Sequence, residues 1–142
     1  MDVRGSARML RGVVAMVAHR YQDLECWQLA NEVKLKVYAF TATEPAVRDF
    51  RYCSQIRDSA RSGPANISEG FGRFRPAEFA RFLEFARASL IETQNHLSDG
   101  RDLRYIPETV YADLYLLTDR AIGGTTNLLK YLRRRSSHRH RT

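Results

Sequence analysis

Four arginines crowd one stretch of the chain. Arg57 and Arg61 stand one helical turn apart, and Arg73 and Arg75 flank Phe74. Guanidinium groups grip phosphate oxygens in pairs, so this set suits phosphate recognition. Phe71 and Phe74 are interleaved with the last two arginines, and aromatic rings among cations can stack on bases. The same rings equally well plug the end of a helical bundle. Gln55, Asn66 and Glu69 share the region, and Glu92 lies in the next apolar-periodic segment. These four suit a polar network that fixes helix packing or a subunit contact. On the residues alone, both readings stay open.

Other chemistry has less support. Glu92 and His96 are spaced by four with Asp99 close behind, but a carboxylate metal site in a bundle needs Glu-x-x-His on two helices. His138 and His140 sit in an arginine-rich tail. Neither Cys26 nor Cys53 neighbours a histidine in a nucleophile motif. Gly70-Phe71-Gly72 falls short of a phosphate-cradling loop. The expectation is no enzyme, no cofactor and no metal. Both cysteines fall in helical patterns and read as small core residues, in keeping with a reducing, cytoplasmic setting.

The charge is placed unevenly. The chain has 142 residues and a net charge of +7, with 20 arginines against 3 lysines. Residues 20–132 carry 15 basic and 15 acidic side chains, so the excess lies at the two ends. Arg133, Arg134, Arg135, Arg139 and Arg141 make a basic tail, which attracts nucleic acid through phosphate contact and counterion release. The plainer reading is a solvated tail. With 44% apolar and 27% charged residues, the composition excludes a disordered chain. The longest apolar window, Gly12 to Ala18, is far short of the roughly 18–20 residues of a membrane span. Arg11 cuts Met9-Leu10 off from that run, which argues against a secretory signal. Regular patterning begins only at Tyr21, so Met16 is a candidate start and residues 1–19 read as a flexible extension.

These side chains need a scaffold, and the apolar spacing supplies one. Helix A spans about 23–42, capped by Asp23, with Cys26, Ala30, Val33, Val37 and Phe40 inside. Helix B spans about 46–70 after Glu44-Pro45, with Val47, Phe50, Cys53, Ile56, Ala60 and Ile67 inside. Gly63-Pro64 should kink it without ending it. Helix C spans about 76–99, from a first-turn proline to Gly100. Helix D spans about 107–132, with Val110, Leu114, Leu117, Ala121, Gly124 and Leu128 inside. Short links force antiparallel neighbours. The expected fold is all-α: a single up-down-up-down four-helix bundle over 20–132, with a disordered basic tail over 133–142. Helix D carries a second apolar stripe of Tyr111, Tyr115, Ile122 and Leu129, which predicts a self-association face. A protein partner on that face is the alternative.

The central residues also carry a resemblance. Tyr21 to Ala30, then Gln55-Ile-Arg57-Asp-Ser-Ala60 and Pro64-Ala-Asn66-Ile-Ser-Glu69-Gly70-Phe-Gly72-Arg73, and Glu78 to Gln94, resemble the bacterial four-helix bundle proteins named for intervening sequences in 23S ribosomal RNA genes. The likeness runs from about Tyr21 to Leu132. It implies a homopentamer of small bundles, akin to the nucleic-acid-binding accessory protein of diversity-generating retroelements, with no enzymatic activity and no membrane. RNA, DNA or a protein is the implied partner. Asp58 stands where the resemblance leads one to expect a second arginine, Gly63 where it expects isoleucine, and Ala88 where it expects glycine.

Overall fold

A computed structural model describes residues 18–139. Residues 1–17 of the N-terminal extension, with the Met16 start, and His140 and Arg141 fall outside those residues. Four helices carry the fold: α1 (Glu25–Thr41), α2 (Phe50–Phe71), α3 (Pro76–Asp102) and α4 (Glu108–Arg139). Each packs against the next, and α4 returns to α1, closing an antiparallel up-down bundle.

Helix α1 buries the five expected positions and Leu29 as well. It starts later than expected. Asp23 closes a 3₁₀ turn over Tyr21–Asp23, and its carboxylate takes Arg20 at 3.3 Å instead of capping the helix. Tyr21 lies edge-on against Trp27, with ring centres 5.1 Å apart, and roofs the start of the helix.

The start of α2 also differs from the expectation. Pro45 leads into a 3₁₀ turn over Ala46–Arg48, and the helix begins only after Asp49, whose side chain accepts from the Tyr52 amide at 3.0 Å. The later start puts Val47 and Phe50 outside the core; Phe50 is 84% exposed, and Ala46 and Tyr52 are buried in their place. The helix runs on through Gly63 and Pro64, both buried. Pro64 has no amide proton for the Ala60 carbonyl, yet the helix does not end there. Gly63 lies against Leu90, where an added Cβ would stand 3.2 Å from its Cδ2.

Helix α3 opens on Pro76, as its sequence predicts, but passes through Gly100 to Asp102. It ends in a left-handed residue, Arg104 (φ 60°), where the Tyr105 amide reaches back to the Gly100 carbonyl at 2.8 Å and the Arg104 amide to Arg101 at 3.0 Å. In α4, Gly124 faces α1, but a Cβ there would lie 3.5 Å from that of Cys26, an ordinary contact, so the approach does not demand glycine. Val110, expected inside, is exposed. The tail expected from residue 133 instead extends α4 through Arg139. Arginine is a good helix former, and Arg133 ties the extension to Glu84 on α3.

Candidate nucleic-acid interface

The antiparallel order brings three chain segments to one end of the bundle: the α2–α3 turn, the first turns of α3 and the last turns of α4. Residues 69–84 and 130–138 hold seven basic and three acidic side chains. The 69–84 segment is itself balanced, with three arginines against three acidic residues, so the excess at this end comes from Lys130 and Arg133–Arg135 on the last turns of α4.

Phe74 stands at the tip of that pole and is 101% exposed, so it plugs nothing. Its neighbour Phe71 does the plugging, packed edge-on against Phe79 with ring centres 6.1 Å apart. Gly70 allows that contact, because a Cβ there would press on Phe82 and Phe79. Arg73 pairs with Glu69 at 2.9 Å and lies over the Phe82 ring, 5.1 Å from its centre. Arg75 is exposed. On α4, Arg133 pairs with Glu84, Arg134 Nε donates to the Lys130 carbonyl at 3.3 Å, and Arg135 donates to Tyr131 Oη at 3.1 Å.

The other two arginines of the expected phosphate set lie elsewhere. Arg57 Nε donates to Thr41 Oγ1 at 2.8 Å, its Nη2 donates to the Tyr38 carbonyl at 3.3 Å, and the guanidinium lies over the Tyr38 ring. It ties α2 to the C-terminal end of α1. Arg61 pairs with Asp58 on its own helix. The aspartate that replaces an expected arginine thus neutralises the next one along.

Gln55, Asn66, Glu69 and Glu92 do not form one network. Gln55 is exposed, Glu69 holds Arg73, and Glu92 lies 3.5 Å from His96 Nε2, a buried atom with no hydrogen bond. Only Asn66 joins a shared set. It donates to Ser62 Oγ at 2.9 Å; Ser62 and Ser89 hydroxyls meet at 2.7 Å, and Thr93 Oγ1 lies 2.9 Å from Ser59 Oγ and 2.8 Å from the Ser89 carbonyl. This hydroxyl ladder zips α2 to α3. Its sequence signal was small polar residues at core spacing, Ser59, Ser62 and Asn66 facing Ser89 and Thr93.

The second stripe of α4 is partly consumed within the chain. Leu129 is 2% exposed and belongs to the core. Tyr111 and Tyr115 are half-buried; Tyr111 lies under Arg101 and near Ser98, and the Tyr115 carbonyl is 3.5 Å from Gln94. Ile122 packs against the core from its edge. On the same face of α3, Ile91 is 46% exposed.

The buried thiols are poorly suited to nucleophilic work. Burial pushes the Cys26 thiol up to about 12 and raises that of Cys53, whose Sγ donates to the Ala46 carbonyl at 3.1 Å. Among the described residues, no three histidine, cysteine or acidic side chains are grouped to hold a metal. No helix among them is long and apolar enough to cross a membrane.

The sequence profile of the 23S rRNA-intervening sequence proteins matches residues 22–124. The chain belongs to that family. No curated protein matches it. The part shared with the 23S rRNA-intervening sequence family covers α1, α2, α3 and half of α4, including the Arg73–Arg75 turn. The Arg133–Arg135 run lies beyond the matched span. The pole is thus assembled from a family turn and a helix end outside the family profile.

Proposed function

We propose that this member of the family is a non-enzymatic, nucleic-acid-associated bundle that binds strands at its basic pole. The observation that carries this reading is Phe74, wholly exposed between two arginines in the turn that leads into α3, whose first turns face the arginine end of α4. An apolar ring held in water gains from stacking on a base, and stacking does not depend on which base it is. Arg75, Arg134 and Arg135 stand ready for phosphates, and Arg73 and Arg133 join them on leaving Glu69 and Glu84. Arg57 and Arg61 serve packing and local pairing in this account. The family's name, tied to ribosomal RNA, makes RNA the first strand to try. Anisotropy of a labelled single-stranded RNA with the full chain tests it. About four neutralised phosphates give a log–log salt slope near −3. Salt-insensitive or absent binding overturns the proposal.

A second reading has its own observation. Tyr111, Tyr115 and Ile122 remain half-buried beside exposed Ile91, an apolar flank that a sister subunit would cover. Self-association along the α3–α4 flank, up to the pentamer suggested by the family resemblance, leaves the pole free. Light scattering tests it, and a monomer at micromolar concentration contradicts it.

A further inference from the structure

Between the first turns of α3 and the last turns of α4 lies an open groove of about 400 Å³, lined by both alanine and charged or hydroxyl side chains. That size is within the range of small-ligand sites. Arg81 and Glu84 line it from α3, Arg133 and Ser136 from α4, and buried Ala80 forms part of its floor. Two arginines thus line the groove with one glutamate, and the glutamate's carboxylate holds Arg133. The pair is open to solvent, with side chains 57% and 46% exposed. Exposed pairs of this kind shift an equilibrium by no more than about fivefold, so a phosphate arriving between two arginines can displace the carboxylate.

We infer that the groove seats a phosphate group and that Glu84 is its internal competitor, holding Arg133 until phosphate takes its place. The inference rests on the strand-binding reading only for the source of the phosphate. The groove chemistry fits a strand backbone or a free polyphosphate equally. Arg81 lies over the Phe85 ring, 5.6 Å from its centre, and no acidic partner holds it among the described ion pairs, so it is free to turn to a phosphate. Glu84 therefore opposes ligand binding although it stabilises the α4 extension.

The test uses the full chain, its Glu84→Gln variant and the double variant Arg81→Gln/Arg133→Gln. The probes are tripolyphosphate, by calorimetry, and a labelled 12-nucleotide single-stranded RNA, by anisotropy. Glu84→Gln is expected to tighten both ligands about two- to fivefold, and the double variant to weaken both. Circular dichroism of each variant checks that α4 keeps its length. If Glu84→Gln leaves both affinities unchanged or lowers them, Glu84 is only a staple and the inference fails. If RNA binds and Phe74→Ala weakens it while the groove variants bind like wild type, the groove fails and the proposed function stands. If tripolyphosphate shows the expected gain and RNA does not bind, the groove stands as a polyphosphate site and the strand reading fails. If neither ligand binds, both fail.

Discussion

Tyr52 reaches the backbone of α3 only because residue 100 has no side chain. Its hydroxyl donates to the His96 carbonyl at 2.6 Å, and a Cβ on Gly100 would fall within the tyrosine hydroxyl. Tyr105 packs edge-on against Tyr52, with ring centres 5.1 Å apart, and donates to Asp49 at 2.6 Å. One cluster thereby joins the start of α2 to the end of α3. Gly100→Ala is expected to cost about 1–3 kcal/mol by overpacking, read as a lower urea midpoint. Adding Tyr52→Phe should return part of that loss. An unchanged midpoint for Gly100→Ala would contradict the close packing.

The glycine also shows where sequence reading stopped. Gly100 at the end of an apolar period reads as a helix terminator, yet its role depends on a tyrosine 48 positions earlier, which no local pattern reveals. The stripes of α1 and α3 were legible because a one-sided apolar period has one solution. Val47 and Phe50 were misplaced because the period cannot see that Asp49 starts the helix. The candidate site was legible as residue types, but not as a place. Arg57 and Arg73 look alike in sequence, and only packing sends one to the Tyr38 carbonyl and the other to the pole.

Arg57 should behave as a packing residue. Arg57→Lys loses the fork that spans Thr41 and Tyr38, at a cost of about 1–2 kcal/mol in chemical denaturation. RNA affinity is expected to stay within twofold. A large loss of affinity without loss of stability would return Arg57 to the phosphate set.

Asp49 links stability to acid. The Tyr105 hydroxyl, and then the Tyr52 amide, hold its carboxyl below the ordinary 3.8. A lowered folded-state value means the stabilisation is full above the ordinary value and is lost as pH falls below it. Thermal melts of wild type and Asp49→Asn between pH 6 and pH 2.5 should converge toward the acid end. A constant gap across that range would show that the charge is not what matters.

Arg104 occupies a left-handed position that glycine takes at no steric cost. Arg104→Gly is expected to stabilise the chain by ~0.5–1 kcal/mol, since relief of the side-chain clash exceeds the added backbone freedom of the unfolded state. Equilibrium denaturation reads the sign directly, and a destabilised variant contradicts the turn geometry.

The most direct test of the account is RNA binding by the full chain and by Phe74→Ala, titrated at low and physiological salt. Phe74 is fully exposed, so its removal should leave the melting temperature unchanged. Loss of one stacking contact should weaken binding by about 1–3 kcal/mol and leave the salt slope near −3, because the arginines remain. Equal affinity of variant and wild type, or affinity that does not fall as salt rises, would contradict a strand-binding pole.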